Sequence, residues 1–513
     1  MKKTVSKKIT AILLSVLILL PVFAVAASAA NKDDKKQIPE ISIHGFMAIS
    51  IYEDPDDPDS NDVWPPTADS ILAAVKATLP ALTKFSVTWN WDQLADAIIP
   101  QVNSLFYPAE LNSIGLPTIE SSGIRFNSRP DPEQLKSGRT IDFRYDWRVD
   151  PMESAAQLND FIDYVLEATG AEQVTLTAHS LGGVIMLTYL TKYGYDKVKS
   201  VCFNTSAVFG ETYTGELLSG NITLNGEALL NYIKFAVGDT EYEYFISKLS
   251  DMLAKAGLLN FVAKFGNLMI EKLSAKIIPT SIVPLFAHWL TIWAMVPDEY
   301  MDACLHYVFE EVMGDQDTDY TVLRNKIETF NSEIRAHKTE MLQEMYESDA
   351  ISLYVISRYG YTSIPLTPAY NELSDGVIET RRSSFGATTA PYGQTLSAYQ
   401  IQGYDKYISP DGTVDANTCM FPDQTWFIRN YKHATVDRSL EEMIDMLLYY
   451  DGQADIHTFE EYPQFLEFHA FDKSISPDSG AQKDQLNFFE RFKKFFSEFF
   501  RLVRTLFSNI FSK

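Results

Sequence analysis

The segment TLTAHSLGGV, residues 175–184, places Ser180 between small residues two positions to either side. Residues 174–178 alternate β-branched and small side chains, which predicts a buried strand that ends at the serine. After Gly182 and Gly183, apolar residues recur at helical spacing up to Tyr193. A strand that turns directly into a helix is strained and needs small residues around the turn. The segment therefore predicts a sharp strand–turn–helix that presents the Ser180 hydroxyl above a sheet.

Strand-like and helix-like runs alternate on both sides of this turn. Apolar residues recur at helical spacing over 153–168, and 198–204 is a second strand-like run. Residues 40–43 read as an early strand, and 351–356 return to strand much later. This succession favours parallel strands covered by helices on both faces. The predicted fold class is α/β, a doubly wound, mostly parallel sheet built from residues 30–206 and 351–475.

Between these two parts, residues 207–350 contain several predicted helices and little period-two alternation. This pattern predicts a helical cap or lid inserted into the sheet domain. Prolines interrupt its uncharged stretch 277–296, which leaves too few residues to span a membrane, so we interpret it as a buried cap helix. Trp289 and Trp293 in this stretch are expected to help form an apolar groove over Ser180.

The two ends of the chain differ from its middle. Lysines precede an apolar run over 9–26 and small residues follow it, which predicts a signal peptide over 1–29 and a secreted protein. Residues 476–485 contain Pro, Ser and Gly and are interpreted as a linker. Over 486–513, apolar residues recur every three or four positions beside six basic and two acidic residues. This predicts a basic amphipathic helix, which lies either at an anionic membrane surface or against protein.

The composition narrows the partners of the chain. A formal net charge of −25 argues against nucleic acid as a partner. The three cysteines lie far apart without a CxxC pair, so they give no zinc motif and permit at most one disulfide. The acidic loop 52–62 is interpreted as a solvated turn, because its proline-interrupted spacing does not match an EF-hand calcium loop.

A nucleophilic serine needs a histidine that takes its proton and a carboxylate that orients this histidine. On a doubly wound sheet these partners follow the serine in the order acid, then histidine. Histidines before Ser180 or inside the predicted cap are therefore set aside, which leaves His433, His457 and His469. His433 follows a strand-like segment and precedes a helix, so we predict that it is the base.

Two aspartates compete for the role of the acid. Asp375 occupies an Asp-Gly turn beyond the strand 351–356, and we favour it for that position. Asp411 is also followed by glycine, but no clear strand leads into it, and it stays the alternative.

An acyl-transfer site also needs N–H donors for the oxyanion that forms during the reaction. Leu181 begins the predicted helix, where backbone N–H groups and the helix dipole favour negative charge. The second donor is predicted in the His-Gly loop after the strand 40–43, at Phe46 or, as the fallback, at Met47.

Residues 143–190 resemble the lecithin:cholesterol acyltransferase family and related lipases. Residues 145–148, Tyr-Asp-Trp-Arg, match one segment of that family, and 178–183 match its Ala-His-Ser-Met-Gly-Gly motif with Leu181 in place of methionine. The family's late histidine is similar to His433. Its acid loop reads close to Asp-Gly-Thr-Val, as at Asp411, whereas the loop at Asp375 looks more like the Asp-Gly-Val-Val loops of related bacterial lipases. Residues 207–348 have no match in the family pattern.

The resemblance implies an α/β-hydrolase fold, a Ser–Asp–His triad, and esterase or acyl-transfer activity on lipids. With Ser180 and His433, we keep Asp375 as the acid of this triad for its position after a strand, and Asp411 stays the alternative. A serine nucleophile of this kind forms an acyl-enzyme without a metal or an organic cofactor. The predicted function is therefore a secreted serine esterase or lipase that acts on lipid or other acyl esters. Two alternatives stay open, namely a surface-binding protein without catalysis and a peptidase that uses the same three residues.

Overall fold

The fold is described from a computed structural model. The structure describes residues 38–480, apart from 120, 126–129, 131, 136–137, 139, 238–242, 315–317, 399–404 and 471. The predicted signal peptide over 1–29 and the predicted amphipathic helix over 486–513 lie outside the described residues.

An eight-stranded sheet forms the centre of the described part of the chain. Its order is β5-β1-β6-β7-β8-β13-β14-β15, and neighbouring strands are parallel except for β14 and β15. The sheet strands are β1 (Glu40–Ile43), β5 (Ile141–Phe143), β6 (Val174–His179), β7 (Val198–Asn204), β8 (Ser352–Tyr359), β13 (Thr425–Arg429), β14 (Phe465–His469) and β15 (Ser474–Pro477). The remaining short strands are β2 (Ile51–Tyr52), β3 (Asp62–Trp64), β4 (Gly123–Ile124), β9 (Tyr361–Thr362), β10 (Leu373–Ser374), β11 (Thr388–Thr389) and β12 (Val414–Asp415). The predicted doubly wound, mostly parallel sheet is confirmed.

The α-helices fall before, between and after these strands. They are α1 (Ala68–Thr88), α2 (Trp91–Phe106), α3 (Pro132–Leu135), α4 (Pro151–Thr169), α5 (Leu181–Tyr193), α6 (Thr212–Leu218), α7 (Gly226–Val237), α8 (Glu243–Lys255), α9 (Leu258–Ile277), α10 (Val283–Phe286), α11 (Leu290–Ala294), α12 (Met301–His306), α13 (Thr321–Glu333), α14 (Lys338–Glu347), α15 (Thr380–Ser383) and α16 (Arg438–Leu448). Two π-helical turns interrupt this series, one of five residues (Ile278–Ile282) and one of six residues (Tyr307–Val312).

The sheet is buried on both faces, as alternate residues of β8 demonstrate. Leu353 and Val355 belong to the larger hydrophobic core, which also contains the apolar faces of α4 and α5. Tyr354 and Ile356 belong to a second core, which contains the apolar face of α16. Because successive side chains of a strand point to opposite faces, helices cover the sheet on both sides.

The helices that pack together as a cap are not the same set as predicted. Besides α7, α8 and α9, the set includes α1 and α2, which the sequence pattern assigned to the sheet domain. Leu82 and Phe85 of α1, Leu94 of α2 and Leu273 of α9 form one small apolar cluster. We call α1, α2 and α7–α9 the cap. Among the described residues, one helical stretch, Asp69–Thr88, is long and apolar enough to cross a membrane by length and composition, and 17% of it is buried.

Residues 287–296 of the stretch 277–296 are buried, and the two tryptophans expected to line a groove lie in the main core instead. Trp293 is 1% exposed, stacks on Phe309 and donates a hydrogen bond from its indole N–H to the carbonyl of Ala287 at 2.8 Å. Trp289 is also fully buried, and its ring lies 5.8 Å from that of Phe46. This segment is therefore part of the main core, because its large apolar side chains fill space between the sheet helices and the loop after β1.

The predicted linker over 476–485 is wrong at its beginning. Residues 474–477 form β15, which pairs with β14 at the sheet edge. The carboxylate of Asp478 is fully buried and lies 2.6 Å from the guanidinium of Arg429. The backbone pairing and this ion pair hold the segment against the sheet, and residues 481–485 lie outside the described residues.

Candidate active site

Ser180 occupies the turn between β6 and α5 in a strained backbone conformation. Its φ of 58° and ψ of −125° place a non-glycine residue in the positive-φ region, which costs roughly 1–3 kcal/mol and persists only where the surroundings enforce it. The serine precedes the helix, yet its side chain does not cap α5. The hydroxyl is therefore available for another partner, as the strand–turn–helix pattern predicts.

The glycines around Ser180 make this turn sterically feasible. A β-carbon added to Gly182 would lie 2.3 Å from the carbonyl oxygen of Ile43, and one added to Gly183 would lie 2.3 Å from the hydroxyl of Ser206. Both distances are far below any real contact of a β-carbon. Glycine at position 182 therefore lets the first turn of α5 pass the end of β1, and glycine at position 183 lets it pass Ser206 beyond the end of β7.

The hydroxyl of Ser180 faces His433, which lies four residues beyond the end of β13. The Ser180 Oγ and His433 Nε2 atoms are 3.0 Å apart. The other ring nitrogen, Nδ1, lies 2.7 Å from Oδ2 of Asp375. Since a carboxylate can only accept, Nδ1 carries the proton and Nε2 is left to accept from the serine. The structure thus brings the three predicted residues into one hydrogen-bonded chain.

Asp375 is fully buried and accepts hydrogen bonds from several donors. Besides His433, the hydroxyl of Thr205 donates to Oδ2 at 2.5 Å, and the backbone N–H groups of Val377 and Ile378 donate to Oδ1 at 3.0 and 2.8 Å. Burial by itself raises the pKa of this carboxyl group. The facing imidazole and the hydrogen bonds outweigh burial and hold the pKa of Asp375 below its ordinary value. The side chain is therefore ionised at neutral pH and can orient the histidine.

The competing residues lie in other surroundings. Asp411 Oδ1 accepts from the hydroxyls of Ser409 and Thr413 within its own turn, at 2.6 and 2.8 Å. His469 makes a hydrogen bond with Ser476 at the sheet edge. Of the two aspartates weighed from the sequence, Asp375 is the one in contact with His433.

The loop after β1 runs directly beside the serine. A β-carbon added to Gly45 would lie 2.9 Å from the β-carbon of Ser180. Leu181 is the first residue of α5, so its N–H has no acceptor within the helix. Phe46 follows Gly45, and its ring packs against Trp147 at 5.0 Å. The loop of Phe46 and Met47, whose φ is 58°, therefore lies beside the serine, and the N–H groups of Leu181 and Phe46 stay the predicted oxyanion donors.

The Tyr-Asp-Trp-Arg segment braces this loop. The hydroxyl of Tyr145 donates to the carbonyl of His44 at 2.7 Å, and the indole of Trp147 donates to the carbonyl of Ile49 at 2.9 Å. Arg148 is fully buried and pairs with Asp146 at 2.7 Å. These contacts agree with the interpretation of the segment as a structural network beside the site.

Sequence reasoning missed three residues that complete the site. Thr205 directly follows β7 and supports Asp375, while His179 and Arg358 contact the backbone of His433. All three lie at the carboxyl ends of adjacent central strands, where polar side chains of parallel sheets converge. That position is the signal that could have found them. The described residues contain no group of three or more His, Cys, Asp or Glu side chains that could hold a metal ion.

The central sheet and the turn at Ser180 have the α/β-hydrolase fold. Residues 126–221 match the model of the alpha/beta hydrolase fold family, a segment that includes Ser180. Among solved structures, the chain is similar to one described as the crystal structure of the Tle4–Tli4 complex, with 11% sequence identity and a TM-score of 0.25. That match covers 63% of this chain and 75% of the other. No curated protein matches the chain.

Proposed function

We propose that the protein is a secreted serine esterase or lipase that transfers the acyl group of a lipid ester to Ser180 and then to water or an alcohol. The observation that carries this proposal is the continuous chain from the Ser180 hydroxyl through His433 to the buried carboxylate of Asp375. A serine becomes a strong nucleophile in such a chain because the imidazole removes its proton as the oxygen attacks.

The reaction follows from the positions of these groups. Ser180 Oγ attacks the carbonyl carbon of the ester, and its proton passes to Nε2 of His433. The N–H groups of Leu181 and Phe46 donate to the oxyanion, and the collapse of the tetrahedral intermediate expels the alcohol with the proton from Nε2. Water or a second alcohol then attacks the acyl-enzyme through the same histidine, which restores the serine.

The apolar surface of the cap supports a lipid ester as the substrate. Eight of the fifteen exposed large apolar side chains of the described residues lie on the cap or at its helix ends: Leu72, Val87, Trp89, Tyr107, Leu249, Met252, Leu258 and Phe261. Where such side chains lie side by side, they form a patch that can bind an apolar partner. The five cap helices carry eight lysines and seven carboxylates, so they are nearly neutral in a chain of net charge −25.

The aromatic residues of the cap connect this surface from helix to helix. Trp89 terminates α1 in a left-handed conformation with φ 52°, and its ring lies 6.5 Å from that of Trp91. Trp91 in turn lies 6.4 Å from Phe265 of α9, one helical turn from the exposed Phe261. Such a surface suits contact with lipid, to which the basic segment 486–513 is proposed to add an anionic membrane contact.

Labelling with a fluorophosphonate tests the nucleophile. Ser180→Ala is expected to abolish labelling and to reduce the hydrolysis of a p-nitrophenyl ester by roughly 10⁴-fold or more. Ser200→Ala is a matched control, because Ser200 is a buried serine of the neighbouring strand β7, and its hydroxyl donates to the carbonyl of Leu448 in α16. Retained labelling of the Ser180 variant would reject the proposal.

A second experiment tests the lipid class of the substrate. Hydrolysis of phospholipid vesicles and of a short soluble ester is compared in the wild type, in Met252→Asp and in Tyr450→Asp, an exposed apolar position outside the cap. We expect the cap variant to lose vesicle hydrolysis and to keep soluble-ester hydrolysis. Equal vesicle rates in all three proteins, or cleavage of aminoacyl amides in preference to esters, would contradict the assignment to lipids.

A further inference from the structure

The loop that carries His433 has little regular structure to fix its position. It connects the end of β13 at Arg429 to the start of α16 at Arg438. A catalytic group has to stay within about 0.5 Å of its productive position, and a buried loop has to satisfy its carbonyl groups. The anchor of this loop is therefore relevant to the reaction.

Arg358 supplies that anchor from the end of β8. Its side chain is fully buried, and Nη1 lies 3.0, 2.9 and 2.8 Å from the carbonyl oxygens of Lys432, His433 and Thr435. Nη2 donates to the side-chain oxygen of Asn204, the last residue of β7, at 3.1 Å. One guanidinium thus ties the histidine loop to a neighbouring central strand.

His179 reaches the same carbonyl group from the end of β6. Its Nε2 lies 2.9 Å from the carbonyl oxygen of His433, and since a carbonyl only accepts, Nε2 carries the proton. The two imidazole rings are 4.7 Å apart. Two donors from two different strands therefore converge on the backbone of the residue whose ring faces Ser180.

We propose that Arg358 is a positioning residue, which together with His179 clamps the carbonyl group of His433 and so aligns its ring with Ser180. The inference rests on the proposed function of the Ser180–His433–Asp375 chain. It goes further by assigning a role in the rate to a residue that touches no reacting atom. Lysine cannot replace the guanidinium here, because its single point charge lacks the planar fork that serves three carbonyls and an amide at once.

The first test is kinetic. Arg358→Lys is expected to lower kcat for a p-nitrophenyl ester about 100-fold with KM unchanged, since a misplacement of about 1 Å has an effect of that size. Arg429→Lys is the matched control, because Arg429 is a buried arginine of the adjacent strand β13 that pairs with Asp478 and Glu467 instead. A kcat of folded Arg358→Lys within threefold of the wild type would overturn the proposal.

A double-mutant cycle separates positioning from general damage to the fold. In a His433→Ala background the clamp has no ring to align. Arg358→Lys should therefore lower the residual rate of p-nitrophenyl ester hydrolysis by no more than twofold. A second 100-fold loss in that background would show that the substitution disturbs the site as a whole and would overturn the proposal. If Ser180→Ala itself keeps activity, the proposed function fails, whereas an inactive Ser180→Ala with a fully active Arg358→Lys rejects the clamp alone.

The His179 variants decide the question if Arg358→Lys does not fold. His179→Leu removes the second donor and is expected to lower kcat about 10-fold, while His179→Gln retains an N–H donor and should recover at least half of the wild-type rate. A low-field proton signal from the His433 Nδ1–H···Asp375 bond should broaden in the leucine variant and persist in the glutamine variant. Identical rates and signals in both variants would contradict the clamp.

Discussion

The turn around Ser180 and the cap are both rich in apolar residues, yet their packing is opposite. Residues 181–190 of α5 are all buried, whereas 17% of the apolar stretch Asp69–Thr88 of the cap is buried. In the first region the backbone of β1, glycines and a strained serine leave no free space. In the second, the large side chains of Val87 and Met252 are 80% and 65% exposed. The comparison teaches that the apolar residues of α5 pack tightly and so hold the turn at Ser180 in place, whereas many apolar residues of the cap are exposed to solvent.

The largest expected effect tests whether the site depends on one buried carboxylate. Asp375→Asn removes the acceptor that holds Nδ1–H of His433 and is expected to lower kcat about 10⁴-fold, because the histidine loses its required tautomer. Asp411→Asn changes an aspartate that is bonded within its own turn and should stay within twofold of the wild type. The rate of ester hydrolysis at saturating substrate gives kcat for both variants. The reverse ranking would move the acid to Asp411.

The glycines of the two regions give the next contrast. Gly182→Ala places a β-carbon against backbone and is expected to lower the free energy of unfolding by more than about 3 kcal/mol. Gly257→Ala in the cap meets nothing within 4 Å and only has to adopt a φ of +72°, which costs about 1 kcal/mol. Urea unfolding measures both values. A Gly182 variant as stable as the Gly257 variant would mean that the turn is less confined than we infer.

Two methionines sharpen the comparison at fixed chemistry. Met186 of α5 is fully buried, so Met186→Ala should destabilise the protein by about 2–5 kcal/mol. Met252→Ala on the cap surface should change the stability by less than about 0.5 kcal/mol. Thermal melts of the two variants check this difference. Equal losses would indicate that the cap surface is covered in solution, either by residues 486–513 or by a second copy of the chain.

The smallest effect concerns the pH dependence of stability. Burial, together with the nearby His433 and Arg358, holds the pKa of His179 well below 6.5. His179 therefore stays neutral in the folded protein, while the unfolded chain binds a proton below about pH 6.5. Stability is thus lost as the pH falls from 7 to 5, by at most about 1.4 kcal/mol per pH unit. His179→Gln should reduce the change of the urea unfolding midpoint with pH over this range. An unchanged pH dependence would argue against a neutral His179.

Much of the fold was predictable because its signals are local. The strand–turn–helix around Ser180, the strands at 40–43 and 198–204, and the fold class follow from periodicity and from the small residues of the turn. The cap was predicted only in part. Helices α1 and α2 precede the first long sheet helix in the chain, and only their contacts with α9 assign them to the cap.

The candidate site shows the same division. Residue types and chain order were enough to single out Ser180 and His433, since acyl transfer needs a serine and a histidine and a doubly wound sheet places the histidine after the serine. The choice between Asp375 and Asp411 required the tertiary structure, because both aspartates occupy Asp-Gly turns. The local sequence does not show that the turn of Asp375 contacts His433, which lies 58 residues further along the chain. The role of Arg358 follows from the tertiary structure alone. Its role depends on three carbonyl groups from a distant loop, and backbone acceptors carry no sequence signature.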